Sequence, residues 1–219
     1  MKNDIILINK PINWTSFDVV KKIRGLIKKK YSLSKLKVGH AGTLDPLASG
    51  LLIICTGKKT KEISEFQNLK KTYFATIKLG YITDSFDRET EEKNKRDYEN
   101  ISMKKINKIS KVFFGKQNQI PPKYSAIKIK GKRAYQKVRN NETFELDSRL
   151  IQIYSLIIKK IDLPYVEFEV VCSKGTYIRS LAQDIGRYLG CGAYLFNLKR
   201  LAIGSHHLDS AMDLENFKI

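Results

Sequence analysis

Gly39-His40-Ala41-Gly42-Thr43-Leu44-Asp45-Pro46-Leu47-Ala48-Ser49-Gly50-Leu51-Leu52 is the stretch from which the fold and chemistry of this 219-residue chain are read. Its three glycines, Gly39, Gly42 and Gly50, let the backbone turn sharply and lie close to another surface. His40 is one of only three histidines. Asp45 is the only acidic residue between Val19 and Lys61, a window that holds 11 Lys and Arg. Pro46 biases Asp45 toward an extended backbone. Asp-Pro on its own reads as the start of a turn, but a lone carboxylate among so many cations calls for a specific partner.

Reading outward, Leu51-Leu52-Ile53-Ile54-Cys55 is a fully apolar run that suits a central strand, ended by Thr56-Gly57. A helix over about 58–68 leads to a strand at Lys71–Leu79, whose alternation puts Tyr73, Ala75, Ile77 and Leu79 on one face. Upstream, Ile5-Ile6-Leu7-Ile8 reads as a short buried strand followed by Asn9-Lys10-Pro11. Thr15-Ser16 then cap a helix with Asp18 in its first turn. It runs to about Lys30, with Phe17, Val20, Ile23 and Ile27 as its apolar face. Its last residues, Lys28-Lys29-Lys30, complement the helix dipole and read equally as a solvated end or as phosphate contacts.

Downstream, Thr83 to Glu92 form an acidic loop, with Asp87 a candidate to lie nearer the site. Residues 101–141 then carry 12 Lys and Arg and no Asp or Glu. An amphipathic helix at about 102–112 precedes Gln119 to Gly131, where Pro121-Pro122 break helix and Gly131 permits a turn. Lys123, Lys128, Lys130, Lys132 and Arg133, interleaved with Tyr124 and Tyr135, suit a clamp on RNA. A merely solubilising patch would mix in acids. Strands are predicted at about 142–160 and 164–172, the second with Val166, Phe168, Val170 and Cys172 inward. Thr176 is predicted to cap a helix over about 177–189 with a stripe of Ile178, Leu181, Ile185 and Leu189. Arg179 falls in its first turn, where the dipole disfavours a cation, so a negative group should lie near. Gly190 ends the helix, Ala193–Leu198 forms a strand before Lys199-Arg200, and residues 208–219 read as a short terminal helix. The pattern gives one α+β domain over residues 1–219 around a mixed, mostly antiparallel sheet, with 101–141 as a basic insertion.

The hydrophobic share of 42% suits a folded chain, and the formal charge of +19 points to a polyanion. Coding bias toward Lys, Asn and Ile accounts for part of that excess. Nucleic acid is favoured over an anionic membrane surface, since no basic helix with a bulky aromatic face is evident. No run approaches the ~18 apolar residues of a membrane span, and a cytoplasmic protein is expected. Cys55, Cys172 and Cys191 are widely spaced and read as buried apolar groups; no metal site is expected, because His206 and His207 are adjacent and lack a third ligand.

Five blocks together resemble the TruB-type tRNA pseudouridine synthases. They are Gly39 to Pro46 with Ser49-Gly50-Leu51-Leu52; Lys71-Thr72-Tyr73; Pro121-Pro122-x-Tyr124-Ser125-Ala126-x-Lys128-x-x-Gly131; Gly175-Thr176-Tyr177-Ile178-Arg179-Ser180-Leu181; and Leu198-Lys199-Arg200. The resemblance covers essentially the whole chain in the family's order. It implies isomerisation of uridine to pseudouridine at position 55 in the T loop of tRNA, by a monomer that needs no guide RNA, cofactor or metal. It implies Asp45 as nucleophile, Tyr73 stacked on the flipped uracil as acid/base partner, and Arg179 as ion-pair partner of Asp45. Tyr177 and Leu198 would line the pocket, His40 would wedge into the RNA loop, Gly42 and its neighbouring glycines would admit the RNA, and Lys10 would support the site.

Two departures accompany the resemblance. Many relatives carry a C-terminal RNA-binding PUA domain after the Leu-Lys/Arg-Arg block, whereas this chain stops within about twenty residues, which argues against guide-dependent relatives. The acidic loop also lacks the glycine common after its second aspartate. A non-catalytic RNA-binding module on the same scaffold is the main rival, and retention of Asp45, Tyr73 and Arg179 argues against it.

Overall fold

The computed structural model describes residues 2–129 and 131–217 and divides into two compact units, Met1–Phe74 with Leu198–Ile219, and Ala75–Asn197. The first unit opens with β1 (Ile5–Lys10), α1 (Ser16–Lys30), β2 (Val38–His40), β3 (Ala48–Thr56), a 3-10 turn (Gly57–Glu62) and α2 (Ile63–Asn68). The chain crosses into the second unit within β4 (Lys71–Leu79). There follow α3 (Met103–Asn107), α4 (Ile109–Val112), β5 (Gly115–Gln119), β6 (Lys128–Ile129), β7 (Lys132–Arg133), α5 (Ala134–Arg139), β8 (Arg149–Asp162), β9 (Tyr165–Cys172) and α6 (Ile178–Leu189). It returns within β10 (Ala193–Ile203) to β11 (His206–His207) and β12 (Met212–Asp213). The fold is α+β, and most of its strand pairs are antiparallel.

β3 is the centre of the first unit, and all of it but Ser49 is buried. That explains its unbroken apolar run: a strand covered on both faces has no polar face to alternate with. β1 runs antiparallel along one edge, from Ile5 opposite Cys55 to Lys10 opposite Gly50. The opposite edge is shared by antiparallel β2, with His40 opposite Ile54, and parallel β10, with Arg200 opposite Gly50. Ile6, Ile8, Leu52 and Ile54 pack with Val19, Val20, Ile23 and Ile27 of α1. Leu51, Ile53 and Cys55 cover the other face with Ala41 and Ile203.

α1 starts as its sequence indicates. Thr15 Oγ1 accepts from the Asp18 amide at 3.0 Å, and Asp18 Oδ2 accepts from the Thr15 amide at 3.0 Å, a reciprocal cap. Phe17 corrects the expected apolar face, because it is 61% exposed and Val19 takes the buried place. At about 100° per residue, Phe17 lies about 110° around the helix from the middle of the Ser16, Val19, Val20, Ile23, Ile27 stripe. The expected terminal helix is also corrected. Leu208–Ser210 is a single 3-10 turn, and Met212–Asp213 pairs in parallel with β1. Leu214 and Phe217 drop into the α1 core, which draws that segment along the sheet edge.

In the second unit the strand order is β4-β9-β8-β5. The Val166, Phe168, Val170 and Cys172 face is buried as predicted, while β8 begins at Arg149 rather than near 142. The single helix expected at 102–112 is two short ones broken at Lys108, with Ile106 and Ile109 buried. The six-residue α5 is too short to show a helical period in sequence. α6 carries its expected buried stripe and ends at Gly190 with φ 90°. Its cap is Tyr177 rather than Thr176, whose hydroxyl instead donates to Ser173 O at 3.0 Å.

Gly186 in α6 faces the start of β10 so closely that a Cβ there would sit 2.1 Å from the Ala193 nitrogen. Gly186→Ala is therefore expected to cost about 1–3 kcal/mol, the usual range for overpacking, read as a lowered urea midpoint at unchanged slope. Among the described residues the three cysteines are free and buried, and no cluster of His, Cys, Asp and Glu could hold a metal. Among the described residues no helix is long and apolar enough to cross a membrane.

Candidate active site

The segment between β2 and β3 carries Asp45, and three groups from elsewhere in the first unit hold it. Ser16, buried at the start of α1, donates through Oγ to Leu44 O at 3.0 Å and accepts from the Leu44 amide at 2.8 Å. The Asn13 amide donates to Pro46 O at 2.8 Å, so the residues on both sides of Asp45 are held by the segment that enters α1. Arg200, 1% exposed on β10, donates to Leu51 O at 2.7 Å, Gly42 O at 3.1 Å and Thr43 O at 3.4 Å. A planar guanidinium offers five donors spread over three nitrogens, which lets this one side chain reach carbonyls of both β3 and the Asp45 segment.

Gly50 makes that placement possible. It lies between Lys10 of β1 and Arg200 of β10, and a Cβ on it would sit 2.3 Å from the Arg200 carbonyl oxygen. Its φ of 106° independently favours glycine. The Asp45 amide carbonyl accepts from the Ala48 amide at 3.1 Å, closing the turn into β3. The outcome is a half-buried carboxylate on a segment whose neighbouring main-chain groups are fixed.

Lys10 and His40 share this environment. Lys10 is fully buried and donates to Pro11 O at 2.8 Å and Trp14 O at 2.6 Å. Burial pushes its ammonium from the usual 10.5 down to about 8, with Asp45 opposing the shift and Arg200 reinforcing it. Between about 8 and 10.5 the unfolded chain then holds more protons on this group than the folded chain, so stability rises with pH. The stability difference between wild type and Lys10→Met is therefore expected to grow with pH across that window in denaturant titrations; a constant difference would contradict the shift. The His40 imidazole is held below its ordinary 6.5 by burial and by the charge of Arg200. It is thus biased toward the neutral form, which suits packing against a nucleotide better than ion pairing.

Tyr73 lies on β4, 8% exposed, on the buried face that the alternation assigned to it. Lys71, two residues earlier, fastens the start of this strand by donating to Gln67 O at 2.5 Å and Leu69 O at 2.6 Å at the end of α2. Leu198 is half-buried on β10, opposite Ala48. The first unit thus holds Lys10, His40, Gly42, Asp45, Tyr73 and Leu198.

Tyr177 and Arg179 belong to the second unit. Arg179 is 4% exposed, and Asp87 is one negative group beside it, with Nη1 and Oδ2 3.5 Å apart. Nη1 also donates to Ser85 O at 3.2 Å. Asp87, 5% exposed, is itself fixed through Oδ1 by Ser85 Oγ at 2.6 Å and the Glu89 amide at 2.9 Å. The far end of the acidic loop is exposed, whereas Asp87 is interior. Tyr177 is held by buried Gln119, whose amide group accepts from the Tyr177 amide at 2.8 Å and donates to its carbonyl at 3.1 Å.

The basic insertion divides its cations. Lys123, Lys128, Lys132 and Arg133 are exposed, Tyr124 is half-buried, and Lys130 lies outside the described residues. Lys132 and Lys137 both reach Glu142, at 3.3 and 2.6 Å, so part of the charge is neutralised just beyond the acid-free window. Lys128 and Arg133 face each other across the β6–β7 ribbon.

Sequence reading assigned no role to Ser16, Gln119 or Arg200 in this arrangement. Arg200 stood in the Leu-Lys-Arg block, and Ser16 as the residue after a cap. What they bind is main chain, which leaves no complementary residue type to look for.

Residues 28–178 match the profile of the TruB family pseudouridylate synthase N-terminal domain, and residues 179–219 that of the tRNA pseudouridylate synthase B C-terminal domain. The tRNA pseudouridine synthase B of Parabacteroides distasonis is 50% identical over 212 residues, covering 97% of this chain and 90% of that one. That of Flavobacterium johnsoniae is 45% identical over 219 residues, covering 100% and 96%. Among solved structures, a chain of a Cbf5-Nop10-Gar1 complex superposes with a TM-score of 0.70 at 28% identity, covering 98% of this chain and 53% of that one. A chain of an H/ACA RNP bound to a substrate RNA containing 2'-deoxyuridine gives 0.68 at 27%, covering 97% and 51%. This chain spans about half the length of those two. With a family profile matched over more than half its residues and near full-length relatives at this identity, the chain belongs to the TruB family of pseudouridylate synthases.

Proposed function

We propose that this protein isomerises uridine to pseudouridine at position 55 in the T loop of tRNA, acting alone, without guide RNA or cofactor, as a cytoplasmic monomer. The tRNA substrate is supported by relatives named tRNA pseudouridine synthase B that match nearly the whole chain. The observation that carries the chemistry is the Asp45 segment itself, the one acidic residue between Val19 and Lys61, set in a backbone fixed by Ser16, Asn13 and Arg200.

The reaction breaks the bond from N1 of uracil to C1′ of ribose, turns the base, and joins C5 to C1′. The C5 proton is lost and N1 gains one, so atoms and electrons balance with no oxidant or nucleotide. Such a step needs a nucleophile beside the sugar and base, and Asp45 fills that role. The base must leave its stack to be reached. Tyr73 stacks on the flipped uracil with its phenol serving the C5 proton, Tyr177 and Leu198 line the pocket, and His40 takes the place the base vacates. Arg179 completes the catalytic set, Gly42 leaves room for the RNA, and Lys10 supports the Asp45 segment. Lys123, Tyr124, Lys128, Lys130, Lys132 and Arg133 hold the RNA.

Release of tritium from a tRNA transcript carrying 5-tritiated uridine, incubated with the pure protein and no other RNA, tests this reading. One equivalent released per tRNA is expected; none would refute it. Neutralising Lys123, Lys128 and Lys132 should flatten the salt dependence of tRNA affinity by roughly 0.7–0.9 in slope per lost phosphate contact. An unchanged slope would assign that patch to solubility.

A further inference from the structure

On the first unit, a cavity of about 590 Å³ opens between α1 and the turn that precedes it, lined by Asn13, Trp14, Lys21, Lys22, Gly25 and Leu26. It is an open groove on the surface rather than an enclosed pocket. Trp14 and Leu26 give it an apolar wall, and Lys22 Nζ lies 5.4 Å from the centroid of the Trp14 ring. The single acidic residue in the lining, Asp18, already has its Oδ2 engaged by the amide and hydroxyl of Thr15. α1 as a whole carries six Lys and Arg against that one aspartate.

Two features border this groove. The turn is held in a fixed conformation: Asn13 adopts φ 67°, its amide binds Pro46 O, and Trp14 O accepts from buried Lys10. The cavity is thereby tied to the residue next to Asp45. Gly25 sits in the middle of α1 with no left-handed backbone and nothing within 4 Å of where a Cβ would be. Glycine there weakens the helix without any demand from chain geometry.

We propose that this cavity receives one unpaired nucleotide of the substrate RNA, with its base against Trp14 and its phosphates at Lys21 and Lys22. The proposal rests on the reading of the protein as acting on tRNA. An aromatic face beside cations is the chemistry that takes a base and its backbone together, and the positive lining disfavours a basic peptide.

Trp14 is the only tryptophan in the chain, so all tryptophan emission comes from this groove's wall. Wild type titrated with an unmodified tRNA transcript is expected to show saturable quenching. Gly25→Met, which fills the cavity from a helical position and should melt no lower than wild type, is expected to abolish the quench. It should also weaken tRNA affinity by about five- to a hundredfold, the range for one lost base–aromatic stack. Lys21→Gln with Lys22→Gln should lower the salt slope by roughly 0.7–0.9 per lost contact. Unchanged emission with Gly25→Met at wild-type affinity would overturn the proposal, as would uridine monophosphate binding as tightly as tRNA. Turnover measured on the same wild-type preparation separates the two readings: tRNA isomerised without a quench sinks the cavity, and a quench without isomerisation sinks the reaction.

Discussion

Asp45→Asn is expected to abolish pseudouridine formation while leaving the fold and tRNA affinity close to wild type. The substitution keeps side-chain volume and exchanges the carboxylate, the proposed nucleophile, for a neutral amide. Leu44 with Ser16 Oγ, Pro46 O with the Asn13 amide, and Asp45 O with the Ala48 amide fix the segment through its main chain. None of these depends on a carboxylate. A loss of about 10⁴-fold or more in single-turnover rate is expected, as for removal of other enzymic nucleophiles. Activity near wild type would remove Asp45 from that role, and a collapse of tRNA binding would show it to be a binding group.

Arg200→Met should have the second largest effect, this time on structure and rate together. Methionine keeps much of the apolar stem but leaves Leu51 O, Gly42 O and Thr43 O without their donor. A buried carbonyl left unpaired costs about 1–3 kcal/mol; Leu51 is buried while Gly42 is half-buried and Thr43 exposed, so a loss of about 1–3 kcal/mol is expected in denaturant unfolding. The rate should fall by about a hundredfold, because a shift of about 1 Å in a catalytic group has that consequence. Since the Arg200 charge helps to hold the His40 imidazole low, the His40 pKa should also rise toward its ordinary value, visible by NMR titration. A stability loss with unchanged rate and an unmoved His40 would make Arg200 a packing residue only.

The architecture was legible where a segment's own pattern matched its surroundings. β3 is buried on both faces and reads as an unbroken apolar run, while β9 alternates and does so in sequence too. The Thr15–Asp18 cap, Gly190 at the end of α6 and the need for a negative group near Arg179 were all local signals. Readings failed where tertiary contacts decided. Phe17 looks apolar enough for the core but lies off the stripe, and residues 208–213 follow the edge of β1 because Leu214 and Phe217 are taken up by α1. Of the site, Asp45 was conspicuous because it stands alone among cations. Ser16, Gln119 and Arg200 were not, because their partners are carbonyls and amides that every residue carries.

We propose that the fixed Asp45 segment serves uridine isomerisation in tRNA. It is tested most directly by incubating the pure protein with an unmodified tRNA transcript and mapping pseudouridine at single-nucleotide resolution, with Asp45→Asn in parallel. A single modified position in the T loop, present with wild type and absent with the variant, is the expected result. No pseudouridine with wild type, or the same position modified by both proteins, would contradict it.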